Sequence, residues 1–460
     1  MTTVTPRTGV AGAEALEAGT PGTPAAGTPE AGGSPEDDHG RGAGRAPRPA
    51  LRRLVAGDLD EFAAAAWGRE ARLSRAADLA EHADADHPPA FGDLFDLAAV
   101  DELLSRRGLR TPFLRIAKQG TVVDSRHFTG EGGVGAEVAD QVQDDRVAAL
   151  FADGHTVVLQ GVHRTWAPVA DLVTDLAAEL GHPAQTNAYV TPASSQGFSA
   201  HYDVHDVFVL QVAGTKRWHV HAPVHPDPLR SQPWNDRADA VAERAAEEPL
   251  IDEVLEPGDA LYLPRGYLHS ATAQGEVSAH LTIGVHVLTR WAVVDALVNA
   301  LTGDPELRGS LPLGIDAADP AALAPHVEAV AARLAETLAA PDPDRTDRVA
   351  RRLRRRAWTG NRPEALAPLA QAAAASSADD DTAVRRRRGL HHRLRPGGDG
   401  DPVVLELADR TVTLPAGTRA ACERLLDGRP ARAGELPGLD ADDGAVVVRR
   451  LLREGVLLPV

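Results

Sequence analysis

The sequence predicts an α+β protein built on a double-sheet jelly roll (a double-stranded β-helix), with helical segments around the barrel and a small winged-helix-like module at the C-terminus. Two observations predict it. From TNAYVTP to VSAHLTIGVHVL, short β-rich runs succeed one another, punctuated by Gly and Pro. Further on, apolar residues recur at helical spacing instead, as in ALAPHVEAVAARLAETLAAP, where Leu323, Val327, Val330, Leu334 and Leu338 fall on one stripe.

Residues 1–47 are rich in Gly, Pro, Ala and Thr without apolar periodicity, a composition expected of a disordered tail. Order is expected from Leu51, where LRRLVAGDLDEFAAAAWGRE is spaced as one amphipathic helix with Trp67 as a core anchor. PAFGDLFDLAAVDELLSRRG reads as a helical pair, TPFLRIAKQGTVV as strand and turn, and QVQDDRVAALFADG, HTVVLQG and PVADLVTDLAAELG as helix, strand and helix. The β-rich runs then complete a catalytic-type domain over 48–290. A helical region, 291–395, follows, with two arginine clusters (Arg351–Arg356, Arg385–Arg388) expected to be solvated and an Ala/Ser/Asp stretch near 371–382 expected to be a linker. Residues 396–460 read strand, strand, helix, helix, strand.

At 460 residues, about two or three domains are expected. An apolar fraction of 43% and a charged fraction of 25% suit a globular protein, and aromatics at 4% require a largely aliphatic core. The formal net charge of −18 argues against a generalised nucleic-acid surface and would favour a basic partner, although it also serves solubility alone. No run of about 18 uncharged apolar residues and no apolar signal region is found, so a cytoplasmic protein without a membrane partner is expected. The only cysteine, Cys422, excludes a disulfide framework and a thiolate zinc cluster. Histidine and carboxylate remain as metal ligands.

The chemistry concentrates in QGFSAHYDVHDVFVLQVAGTKRWHV, residues 196–220. His201 and Asp203, read as lying on a strand, would share one face. His269 follows in LYLPRGYLHSA. Two histidines and one carboxylate suit a redox-active ferrous ion, because three coordination positions stay open. His205 and Asp206 compete as a second pair, His280 reads as a satisfied buried histidine, and His219, His221 and His225 lack an element to complete a tetrahedral zinc site.

NAYVTP, GFSAHYDVHDVFVLQVAGTKRW, PGDALYLPRGYLHSA and SAHLTIGVH together resemble the JmjC-type cupins of the ribosomal oxygenase family. The resemblance runs from about Phe62 into the C-terminal module, its specific motifs lying between about 185 and 287. It implies an Fe(II)- and 2-oxoglutarate-dependent enzyme using O2, which hydroxylates an Arg or His side chain of a ribosomal protein. It also implies a helical dimerisation region, hence a possible homodimer, and contact with nucleic acid only indirectly, through the ribosome. His201, Asp203 and His269 match the family's iron ligands and catalytic centre. Lys216 matches the basic residue that pairs with the distal carboxylate of 2-oxoglutarate, a task suited to a compact ammonium. Asn187 and Tyr189 match positions lining the cosubstrate or substrate pocket, and Ser278, in the strand that includes SAHLTIG, is a further candidate for the cosubstrate pocket.

Other readings stay open at this level. Lys216 also reads as a turn lysine in AGTKRW, and strand packing explains Tyr189. The substrate could be a small peptide or natural product, since fold and triad do not decide what enters the pocket. A non-enzymatic cupin-fold binding protein is the third reading.

Overall fold

A computed structural model of the chain describes residues 47–81, 90–193, 195, 198–398 and 400–460. The expected tail over 1–47 lies, except for Pro47, outside them. In chain order the strands up to the end of the barrel are β1 (Arg72–Ser74), β2 (Leu114–Lys118), β3 (Thr121–Val122), β4 (Thr129–Gly130), β5 (Gln141–Val142), β6 (Thr156–Leu159), β7 (Ala184–Thr191), β8 (Asp206–Ala213), β9 (Lys216–His221), β10 (Ile251–Leu255), β11 (Ala260–Leu263), β12 (Leu268–Ala273) and β13 (Ser278–Val285). Eight of them form one sheet, ordered β1-β11-β8-β13-β7-β6-β2-β3, and three form a second, β10-β9-β12. Every pairing in these two sheets is antiparallel. This is the expected double-sheet jelly roll.

β8 shows why the two sheets close on each other. Its residues are apolar on both faces, which suits a strand buried on both sides. Phe208, Leu210 and Val212 point into the main core, where Val169, Leu172, Val173 and Leu176 of the helix Ala167–Leu180 also pack. Val207 and Val209 point the other way, to Trp218 and Val220 of β9. Several of the few aromatics meet at one junction: Phe62 sits edge-on to Tyr262 at 5.1 Å, and Trp67 stacks on Tyr262 at 5.6 Å.

The lead-in departs from its expectation. Instead of one helix there are Pro49–Arg52, Leu59–Glu61 and a π-helical turn Phe62–Ala66, because Asp58 caps the second segment by accepting from the backbone of Asp60 and Glu61. Trp67 still meets the core. Of the expected helical pair near 90, the first half is only a 3-10 turn, Phe91–Asp93, and the second half is the helix Leu97–Arg106.

After the barrel come helices Arg290–Ala300, Pro320–Ala339 and Arg345–Gly360. The predicted stripe of Pro320–Ala339 is not packed away: Val327, Val330 and Leu338 are exposed. The stretch taken as a linker is a helix, Pro368–Ser377, whose Gln371 amide donates to the carbonyls of Leu452 and Leu457. Strands Ala383–Arg386 and His392–Leu394, assigned by sequence to the helical region, pair within the C-terminal sheets instead, the first with Ala431–Arg432 and Leu457–Pro459, the second with Val403–Leu407. They belong with a module that has its own core, from Ala375 to Leu457. The second arginine cluster is not simply solvated. Arg385 forms a two-pronged ion pair with Glu364 at 2.8 Å, and Arg388 reaches Asp171 and Asp175 of the helix under the barrel at 3.0 and 2.8 Å.

Candidate metal centre in the jelly roll

His201 and Asp203 do not lie on a strand. They sit on the extended approach to β8, where His201 makes an isolated antiparallel bridge with His269 at the start of β12. Two backbone bonds lock that bridge: His269 N–H donates to the His201 carbonyl (2.8 Å) and His201 N–H to the His269 carbonyl (3.2 Å). A third, from Gly266 N–H to the Asp203 carbonyl (3.0 Å), ties the carboxylate's backbone to the turn before β12. Residues 68 positions apart in sequence are thus held by main-chain atoms, so their side chains need little ordering when a ligand arrives.

The ligand-capable atoms of His201, Asp203 and His269 lie within 4.8 Å of one another. His269 Nε2 is 3.8 Å from an Asp203 oxygen, and the two imidazole centroids are 4.5 Å apart. Each Nδ1 faces a backbone carbonyl, that of Ser199 for His201 (2.8 Å) and that of Tyr267 for His269 (3.2 Å). A carbonyl only accepts, so Nδ1 carries the proton and Nε2 presents its lone pair to the common centre. Burial, then the neighbouring His201, lowers His269 to about 4, so it is neutral at pH 7 and available as a ligand. Burial alone would raise the Asp203 carboxyl, but His205, His269, His201 and Arg115 around it outweigh that and hold it below its ordinary value. Two neutral imidazoles, one carboxylate and no thiolate are the donor set that suits Fe(II) with open positions.

The triad opens on a cavity of about 460 Å³ between the two sheets. Lys216 lines it, placed by the turn at Gly214, which carries the chain from β8 in one sheet to β9 in the other. Gly214 has φ +56°, and a Cβ there would lie 2.1 Å from the Val277 carbonyl oxygen, so only glycine turns this corner without displacing backbone. Lys216 is 4% exposed and donates to Thr191 Oγ1 at 3.0 Å. No carboxylate pairs with it among the described residues. Burial pushes its ammonium down to about 7. A buried, unpaired cation in a cavity wall is stabilised by an incoming anion.

Tyr189 also lines the cavity, stacked on His280 at 5.1 Å. Asn187 lies on the same strand but outside the lining, its side-chain oxygen accepting from Gly161 N–H at 3.0 Å. Ser278 is fully buried, away from the lining, with its hydroxyl accepting from Gln211 at 2.9 Å. His205 stacks on His286 and does not join the triad. The His219, His221 and His225 series is not gathered: His219 faces Asp252, and His225 faces Gln232.

Three residues in the cavity wall or behind it have surroundings that the sequence did not reveal. Arg115 on β2 lies over Phe198 at 5.3 Å and hydrogen-bonds Tyr189. Its signal was a cation inside the buried run LRIAK. Thr191 partners Lys216, and nothing in sequence marks it. His280 is buried as expected, yet its Nδ1 has no partner and its ring faces the cavity between Tyr189 and Trp218. Burial first, then Lys216 and His269, keeps it neutral.

Fold and site define a jelly-roll protein with a candidate metal centre of the two-histidine, one-carboxylate type. Residues 163–292 match the model of the JmjC domain. The chain is similar to Ribosomal oxygenase 1 of Rattus norvegicus (40% identical over 147 residues, 30% of this chain and 24% of that protein). It is also similar to Bifunctional lysine-specific demethylase and histidyl-hydroxylase NO66 of Drosophila grimshawi (38% over 135 residues, 28% of this chain and 18% of that protein). The matches thus span less than a quarter of those two proteins. Among solved structures, ribosomal oxygenase YcfD of Escherichia coli aligns over 88% of this chain and 99% of that one, at 16% identity and a TM-score of 0.49. No described helix is long and apolar enough to cross a membrane.

Proposed function

We propose that this chain is an Fe(II)- and 2-oxoglutarate-dependent oxygenase that hydroxylates a side chain of a ribosomal protein. The observation that carries the reading is the convergence of His201 Nε2, Asp203 and His269 Nε2 on a cavity whose wall also holds the unpaired ammonium of Lys216. Iron held by the triad would couple oxidative decarboxylation of 2-oxoglutarate to succinate and CO2 with insertion of the second oxygen atom of O2 into a C–H bond. The chain's share is to keep three coordination positions open, to fix both imidazoles through their Nδ1 protons, to hold the distal carboxylate on Lys216, and to exclude water with Trp218, Phe198 and Trp234.

The wall favours histidine over arginine as the target. Among the described residues its only carboxylate is that of Asp203, while Arg115 adds a second cation beside Lys216. A guanidinium entering there would meet like charge, whereas a neutral imidazole would not. A net charge of −18 suits a basic ribosomal substrate. The exposed stripe of Val327, Val330 and Leu338 offers a surface on which a second copy would pack.

Anaerobic addition of Fe(II) and 2-oxoglutarate is expected to produce metal-to-ligand charge-transfer absorption that His201→Ala abolishes, together with succinate formation. Incubation with ribosomal subunits should add the mass of one oxygen to one ribosomal protein, on a histidine. No absorption, or full succinate formation by His201→Ala, would overturn the oxygenase reading; modification of only small molecules would overturn the substrate.

A further inference from the structure

A second cavity, of about 650 Å³, lies between the barrel and the helices that follow it. Its wall holds Arg164, Arg230, Arg265 and Arg356 with His163 and His286, and no carboxylate among the described residues. In a chain with 66 acidic and 48 basic residues, a wall of this size without an acid is a marked segregation of charge. Arg265 is engaged with Asp206 and Asp227 at its far side. Arg164, Arg230 and Arg356 form no ion pair among the described residues, and they come from three separate segments that the fold brings together. The crowding is felt locally: Arg164 is lowered by burial and by nearby Arg362, and His286 is lowered to about 4 by burial and then by His205, Arg230 and Arg356. Trp291, 59% exposed, stands in the same wall.

We propose that this cleft binds the phosphodiester backbone of a single RNA strand. Guanidinium groups fork onto phosphate oxygens, and three unpaired ones around a concave space of this volume match successive phosphates better than one isolated anion. An exposed indole beside them is a platform on which a base stacks, a feature that an acidic peptide would not use. The overall acidity of the chain opposes binding elsewhere on the surface, which confines the strand to this cleft. The sequence concealed the site, because Arg164, Arg230 and Arg356 stand far apart along the chain.

The test is fluorescence anisotropy of the full chain with a labelled single-stranded oligouridylate of about ten nucleotides. With three phosphates neutralised, affinity is expected to fall about twentyfold between about 50 and 200 mM salt. The combined change Arg164→Glu, Arg230→Glu, Arg356→Glu should abolish both binding and salt slope, with the melting midpoint checking the fold. Should that variant unfold, Arg230→Gln and Trp291→Ala decide instead, each expected to weaken binding several-fold, Trp291→Ala by about tenfold. Absence of salt-dependent binding, binding that survives these substitutions, or equal displacement of the strand by inorganic phosphate and by polyglutamate would overturn the proposal.

Discussion

Lys216 offers the sharpest test of the site. In water its ammonium titrates near 10.5, and burial in the wall lowers that to about 7. Between these values the unfolded chain holds a proton that the folded chain has released. Stability therefore rises as pH climbs from about 7 towards 10.5, and below about 7 the whole cost of burying the ammonium is carried. At 1.36 kcal/mol for each tenfold change, that cost is on the order of 5 kcal/mol, with only the Thr191 hydroxyl in partial return. A distal carboxylate needs the ammonium form. Binding of 2-oxoglutarate should accordingly take up a proton above pH 7 and weaken by about tenfold per pH unit until the paired lysine itself titrates. Titration calorimetry on Mn(II)-loaded protein, in buffers of differing ionisation enthalpy, reads both the affinity and the proton. Lys216→Met keeps the apolar stem and removes the charge. It should lose about 2–4 kcal/mol of cosubstrate binding, on the scale of stranding one partner of a buried charge pair, while raising the melting midpoint of the ligand-free protein at pH 6. Affinity that stays flat from about pH 6 to 9, or that survives Lys216→Met, would refute the assignment of Lys216.

Two further outcomes probe what holds the site and the C-terminal module. Asp206 is fully buried and accepts from the Tyr262 hydroxyl (2.6 Å) and Arg265 N–H (3.1 Å), with the Arg265 guanidinium at 3.5 Å. Asp206→Ala leaves these donors stranded at the first residue of β8, and should lower stability by about 3–5 kcal/mol in thermal unfolding. An effect below about 1 kcal/mol would show that water replaces the carboxylate. A Cβ on Gly444 would lie 2.1 Å from the Ala433 carbonyl oxygen, so Gly444→Ala must push helix Ala441–Arg453 off its neighbour. A loss of about 1–3 kcal/mol is expected, read as earlier proteolytic cleavage after residue 368 with the metal centre intact.

Much of the barrel was legible in the sequence, because strand signals are local. Val, Ile and aromatic runs bounded by Gly and Pro place β7 to β13 nearly residue for residue. His201, Asp203 and His269 could be named for a related reason: the ligand types are few once cysteine is absent, and two of them fall within three residues. The helical region was harder to bound. Ala383–Arg386 and His392–Leu394 are short, arginine-rich strands whose partners lie far along the chain, and local propensity does not see those partners.

By itself, then, the sequence determined the jelly roll and the donor types of the candidate metal centre, since both are matters of residue type and short-range spacing, whereas a cation at Lys216 was only what the family resemblance implied. Only tertiary structure decided that His201 reaches His269 through a two-bond bridge rather than a shared strand, and that Lys216 finds Thr191 and no carboxylate. Tertiary structure also placed Arg115 and His280 in the cavity wall, and set Arg164, Arg230 and Arg356 around one cleft. Each of these depends on which distant segments pack together, and a side chain's electrostatic environment is created by that packing.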